Sequence, residues 1–183
     1  MNQFWSHLAR ELSPYVPGEQ PRLANLVKLN TNESPFGPSP LALEAMRAAA
    51  TDTLRLYPDP EASELREALA AHHGLKPEQV FVGNGSDEVL AHAFAGLLKQ
   101  SKPLLFADLT YSFYPVWAQL FGIACACVPL DREMRVRVRD YQRAAGAIVI
   151  ANPNAPTGVA LPRAQIAQLL AAHSDIPVLI DEA

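Results

Sequence analysis

Cysteine is scarce in this sequence: two residues in 183, Cys125 and Cys127. A disulfide framework needs more of them and an oxidising compartment. They stand two apart in an apolar run, so on a strand they point the same way and read as buried apolar thiols. No further Cys or His neighbours them, and the five histidines lack metal-ligand spacing: His72 and His73 share a helix end, while His7, His92 and His173 are isolated. No apolar run approaches the ~18 residues of a membrane span, and the first ten residues carry no signal-peptide apolar core. The expected compartment is therefore the cytoplasm. A net charge of −4 gives no reason to expect nucleic acid. One basic cluster, Arg132, Arg135, Arg137 and Arg139, alternates in part with Val136 and Val138 and reads as the solvated face of an edge strand. Internal repeats and low-complexity tracts are also missing.

What is present is an apolar content of 49%, enough for a sizeable core. The first 40 residues are rich in proline and polar turns and read as an extended arm that lies on another surface, such as a second subunit. Ser39-Pro40 then opens a helix over 40–50. A break at Tyr57-Pro58-Asp59-Pro60 precedes a helix over 61–73, closed by Gly74. From there the pattern alternates. Strands are expected at 79–82, 103–107, 124–128, 147–151 and 177–180, and helices at 88–98, 114–121 and 163–173. This order predicts an α/β fold with a mostly parallel, doubly wound sheet behind an N-terminal arm.

Polar groups collect where those strands end, the place where open α/β sheets bind ligands. After the first strand, Gly83-Asn84-Gly85-Ser86-Asp87 leads into a helix. Backbone N–H groups at a helix start form an anion site, and glycines permit close approach. The spacing fits neither a dinucleotide nor a triphosphate loop, so a single small phosphate ester fits better. An ordinary turn with Ser86 or Asp87 as N-cap is the alternative. After the next strand, Tyr111 can offer its face to a planar ring, or can join Phe113 and Tyr114 as a core aromatic. Asn154 and Thr157 either hydrogen-bond in the same crevice or order a Pro-Thr-Gly turn. Asp181 either pairs with a buried cation, including a protonated ring nitrogen, or caps a loop. A phosphate cradle, an aromatic face, an Asn and an Asp together describe a planar, phosphorylated, basic heterocycle. Pyridoxal phosphate matches that description.

Segments 12–18, 28–40, 56–59, 83–88, 110–114, 152–158 and 181–183, in their order and spacing, resemble the fold-type I, aspartate-aminotransferase-like pyridoxal-phosphate enzymes. The resemblance spans essentially the whole chain and is greatest to the histidinol-phosphate aminotransferase branch. It implies pyridoxal 5'-phosphate as cofactor, a homodimer, and amino-group transfer between histidinol phosphate and 2-oxoglutarate in histidine biosynthesis. By that similarity Asp181 pairs with the pyridine nitrogen, Tyr111 stacks on the ring, and Gly85, Ser86 and Asp87 hold the cofactor phosphate. Tyr57 reaches a cofactor phosphate across the dimer interface, and Tyr15 and Asn32 line the substrate pocket. The family commonly has Asn directly before Pro-Thr-Gly, hydrogen-bonded to the ring hydroxyl. Here that position is Ala155, and Asn154 is taken as its substitute.

The resemblance also implies a division into residues 1–50, an arm and first helix contributing to a small domain and to dimer contacts, and 51–183, an incomplete cofactor-binding large domain. Aminotransfer needs a lysine that bonds to the cofactor and then carries the proton. In the family it lies downstream of the Asp-Glu-Ala segment, and Lys28, Lys76, Lys99 and Lys102 do not match it. The chain is thus expected to be an N-terminal half, inactive alone. Threonine-phosphate decarboxylase and aromatic aminotransferase are the close alternatives. A non-catalytic module binding a phosphorylated metabolite is the alternative of another class.

Overall fold

The computed structural model describes residues 3–12, 18–19, 21, 23, 25–31 and 33–183. In chain order its elements are α1 (His7–Glu11), α2 (Pro40–Ala49), α3 (Ser63–His73), α4 (Gly85–Ala93), β1 (Leu104–Ala107), α5 (Phe113–Phe121), β2 (Cys125–Val128), β3 (Ala147–Ala151), α6 (Arg163–Ala172) and β4 (Val178–Asp181). They fall into two compact units. One is Val16–Val82; the other is Gly83–Ala183 together with Met1–Tyr15. That division falls elsewhere than the boundary at residue 50 that the resemblance implies.

In the Val16–Val82 unit, α2 starts as its sequence indicates. Ser39 Oγ accepts the Ala42 N–H at 3.2 Å, and Pro40 fills the first turn, where no amide partner is needed. The helix expected from residue 61 begins at Ser63 instead. The Asp59 carboxylate takes the N–H groups of Glu61 (3.0 Å) and Ser63 (2.7 Å), so the intervening residues form a turn outside the helix. Gly74, at φ +67°, closes α3 in the left-handed conformation that glycine adopts without strain. The strand expected over 79–82 does not form. Pro77–Gln79 makes a 3-10 turn, locked by Gln79 Oε1 accepting the Lys76 N–H at 3.1 Å. Val80 follows in extended conformation, without a ladder partner among the described residues.

The other unit is built on a four-stranded, wholly parallel sheet in the order β2-β1-β3-β4. β1 and β3 are buried at every residue, which is why both read as unbroken apolar runs. Their side chains alternate between two cores. Leu104, Phe106, Ala147, Val149 and Ala151 pack with Leu90, Phe94 and Tyr114 from the α4 and α5 side. Leu105, Ile148 and Ile150 pack on the other side with Leu161 and with Leu169 of α6. Helices thus cover both faces, as a doubly wound sheet requires. The helix expected at 88–98 is α4 from Gly85, passing directly into a π-helical turn at Phe94–Leu98.

Two further expectations need correction. Cys125 and Cys127 are exposed, free thiols, not buried ones. They do share a face, but among the described residues β2 is the outermost strand and pairs only with β1. The arginine cluster is not on a strand. The Asp131 carboxylate gathers the N–H groups of Glu133 (2.8 Å) and Arg135 (2.9 Å) into a turn, and a 3-10 turn follows at Val138–Tyr141. The alternation survives in another form: Val136 and Val138 pack on the second core, while Arg135 and Arg137 pair with Glu133 and Asp140.

Candidate functional site

Strand order places the site. From β1 the chain passes outward to β2, and from β3 it passes the opposite way to β4. The crevice between the carboxyl ends of β1 and β3 is therefore the topological switch point, where sheets of this kind take their ligands. Residues 108–112 leave β1 on one side of it, and residues 152–158 leave β3 on the other.

Asn154 joins the two sides. It is 2% exposed. Its Nδ2 donates to the Leu109 carbonyl (2.9 Å) and to Thr157 Oγ1 (3.2 Å), and its Oδ1 accepts from Thr110 Oγ1 (2.9 Å). Both amide hydrogens are thus committed to the loops themselves. Of the two roles the sequence leaves open for Asn154, the geometry displays the turn-ordering one.

Gly85, Ser86 and Asp87 form the first turn of α4. Neither Ser86 nor Asp87 is the N-cap; that position is Asn84, whose side chain makes no capping bond. The Asn84 N–H is instead held by the Glu88 carboxylate. Gly85 sits at φ +82°, a conformation side chains resist, and it turns the chain into the helix there. The Gly85 N–H donates to the Gly83 carbonyl at 3.0 Å; a helix start without a side-chain cap keeps its next amides, those of Ser86 and Asp87, and the positive end of its dipole for an anion.

Tyr111 donates from its hydroxyl to Asp87 Oδ1 at 3.2 Å, linking the loop after β1 to the start of α4. Its ring is half-buried on the first core and lies edge-on to Tyr114, with centroids 5.5 Å apart. Tyr114 is fully buried, packed also on Phe94 and Phe106. Its hydroxyl donates to Asp181 Oδ2 at 2.7 Å. Burial first, and the adjoining Asp181 carboxylate second, push the Tyr114 phenol well above its ordinary value, so it stays protonated. Asp181 itself is the last residue of β4 rather than the first after it; its backbone carbonyl accepts from Asn152, and its Oδ1 from the Ala183 N–H.

The structure thus brings Gly85, Ser86, Asp87, Tyr111, Asn154 and Asp181 to one rim of one unit. Tyr57 belongs to the Val16–Val82 unit and is fully exposed. Tyr15 and Asn32 lie outside the described residues. Sequence reasoning missed Tyr114 and Thr110. Nothing in the sequence pairs residue 114 with residue 181; the one signal is that a buried tyrosine hydroxyl needs a partner. Among the described residues no group of three or more His, Cys, Asp or Glu is placed to hold a metal ion, and no helix is long and apolar enough to cross a membrane.

A parallel sheet with an anion-ready helix start, an aromatic ring and a part-buried carboxylate at the carboxyl ends of its strands defines an α/β fold of the ligand-binding, doubly wound class. The chain belongs to the aminotransferase class I and II family, which residues 24–183 match. Over 183 residues it is 60% identical to histidinol-phosphate aminotransferase 2 of Rhizobium meliloti (strain 1021), with 100% of this chain and 52% of that protein covered. The chain spans about half the length of the curated relatives it matches. Among solved structures it resembles the histidinol-phosphate aminotransferase of Sinorhizobium meliloti in complex with pyridoxal-5'-phosphate. That likeness has a TM-score of 0.74 at 29% identity, over 84% of this chain and 43% of the other. Thermus thermophilus aspartate aminotransferase (tetra mutant 1) superposes with a TM-score of 0.81 at 23% identity, over 99% of this chain and 51% of that one, a likeness of fold. The architecture is that of fold-type I aminotransferases.

Proposed function

We propose that this chain is the cofactor-holding, N-terminal half of an enzyme that transfers an amino group between histidinol phosphate and 2-oxoglutarate, using pyridoxal 5'-phosphate. The observation that carries the reading is the convergence of the α4 start, Tyr111 and Asp181 on one rim, in a chain 60% identical to a histidinol-phosphate aminotransferase.

The residues present fit the cofactor at three points. The Gly85 turn brings the phosphate to the first-turn amides of Ser86 and Asp87 and to the Ser86 hydroxyl, which hold it. The Asp87 carboxylate is turned to the Tyr111 hydroxyl, which leaves its backbone to the anion. Tyr111 gives the aromatic face. Asp181 gives a carboxylate for the protonated ring nitrogen. When bound, the cofactor supplies an electrophilic carbon and an electron-accepting ring. Asp181 keeps a proton on that ring nitrogen by charge pairing, and the Asn154 bridge holds the loops after β1 and β3 at a fixed separation. Tyr57, in the other unit, serves a phosphate of the partner subunit's cofactor in a homodimer, and Tyr15 and Asn32 meet the substrate. The protein works in the cytoplasm, in histidine biosynthesis.

The lysine that bonds the cofactor is not one of the four in these 183 residues. Lys99 and Lys102 precede β1, at the sheet end opposite Asp181, and Lys28 is paired with Glu33. The test is to assay the full-length protein with histidinol phosphate, phosphothreonine and phenylalanine as competing substrates. Transamination of histidinol phosphate in preference to phenylalanine is expected. Decarboxylation of phosphothreonine would reassign the substrate, and absence of a borohydride-sensitive absorbance band would leave only a metabolite-binding module.

A further inference from the structure

We infer that Tyr114 is a positioning residue for Asp181, holding that carboxylate in the orientation in which it meets the cofactor's ring nitrogen. This rests on the reading of Asp181 as the ring-nitrogen partner.

Three observations converge on it. Tyr114 is fully buried, so its hydroxyl cannot turn to solvent. It has a single strong acceptor, Asp181 Oδ2 at 2.7 Å, contributed by a strand 67 residues away. Its ring is fixed by Phe94, Phe106 and Tyr111, with centroids 5.9, 6.2 and 5.5 Å away. The donor's position is therefore dictated by the core. A short bond from a fixed donor to a charged acceptor determines where the acceptor points.

The bond leaves Asp181 fit for its role. An ionised carboxylate has about four acceptor sites. The phenol occupies one on Oδ2 and the Ala183 N–H one on Oδ1. Each oxygen retains a lone pair for a cation, while rotation about the Cβ–Cγ bond is arrested. Tyr114 also packs edge-on against Tyr111, so the residue that aims the carboxylate abuts the residue that offers the aromatic face. Asp87, Tyr111, Tyr114 and Asp181 form one connected series from the phosphate end of the site to the nitrogen end.

The test is a double-mutant cycle in the full-length protein, read as the dissociation constant for pyridoxal phosphate by absorbance titration. Tyr114→Phe removes only the hydroxyl; Asp181→Ala removes its acceptor. Loss of a hydrogen bond to a charged group corresponds to a factor of roughly ten or more in affinity. We expect Tyr114→Phe to weaken binding by about that factor beside Asp181, and by less than about twofold in the Asp181→Ala background. The pH at which the bound cofactor's absorbance titrates should also move in Tyr114→Phe, which a purely structural role would not cause. An equal loss in both backgrounds, or no loss beside Asp181, overturns the inference. If Asp181→Ala alone leaves affinity unchanged, the reading of Asp181 itself fails, a separable outcome. Should Tyr114→Phe fail to fold, Tyr114→3-fluorotyrosine, which keeps the ring and the donor but alters the donor's acidity, takes its place, and an absorbance titration that does not move then overturns the inference.

Discussion

Tyr111 and Asp87 are bonded hydroxyl to carboxylate at 3.2 Å, across 24 residues of sequence, between the loop after β1 and the first turn of α4. The bond ties the proposed aromatic face to the helix that receives the phosphate. Because it is exposed, its own worth is small. Tyr111→Phe is expected to cost under about 1 kcal/mol in urea denaturation. Tyr111→Ala also removes the ring packed on Tyr114 and should cost more, with a larger fall in pyridoxal phosphate affinity than Tyr111→Phe. Equal affinities of the two variants would remove the ring-stacking role.

Gly85 is required by its backbone. At φ +82° a Cβ is strained, although nothing crowds the position. Gly85→Ala should destabilise the protein by roughly 1–2 kcal/mol. It should also weaken phosphate-ester binding, since the turn that aims the first amides of α4 must shift. Inorganic phosphate competition with the cofactor measures the second effect separately from the first.

Asn154→Ala leaves the Leu109 carbonyl without its side-chain donor and Thr110 Oγ1 without its acceptor, at a site 2% exposed. A loss of about 1–3 kcal/mol is expected. It should appear in full without any cofactor present, because the bonds lie within the protein. A stability change seen only when cofactor is added would instead restore the direct contact with the ring hydroxyl.

Much of this architecture is legible in the residues, for physical reasons that differ by element. The strands at 104–107 and 147–151 are buried on both faces, so their composition announces them. Gly74 and Ser39-Pro40 mark helix ends because local chemistry decides those ends. Residues 79–82 mislead for the opposite reason: strand formation needs a neighbour, and the local Pro77–Gln79 turn takes the first of them. Cys125 and Cys127 carry the correct facing but the wrong burial, since nothing local tells which strand will be outermost. At the site, Gly85, Ser86, Asp87, Tyr111 and Asp181 are visible as polar groups following apolar runs. The Tyr114–Asp181 bond is not, because it is created by the strand order β2-β1-β3-β4.

The turn before α3 should respond to acid. Asp59 sits below the ordinary carboxylate value because its oxygens accept the N–H of Ser63 and then that of Glu61. A depressed native value means that its contribution is complete above the ordinary Asp value of 3.8 and is lost as pH falls below it toward the native value. Asp59→Asn should lower the neutral plateau of a stability–pH curve and flatten that part of the acid limb, while leaving the acid end little changed. An unaltered acid limb would contradict the capping role.

Residues 1–183 alone, supplied with pyridoxal phosphate and histidinol phosphate, should show no transamination above the free cofactor. Lys99 and Lys102, the lysines of the unit that holds the sheet, stand at the sheet's opposite end. Turnover by this chain, abolished by substituting one of its four lysines, would overturn the assignment.

The most direct test of the whole account is a crystal structure of the full-length protein with pyridoxal phosphate. The prediction is an Asp181 oxygen about 3 Å from the pyridine nitrogen, with the phosphate at the Gly85 turn, on the amides of Ser86 and Asp87. A carboxylate turned to solvent, or a cofactor bound away from the carboxyl ends of β1 and β3, would contradict it.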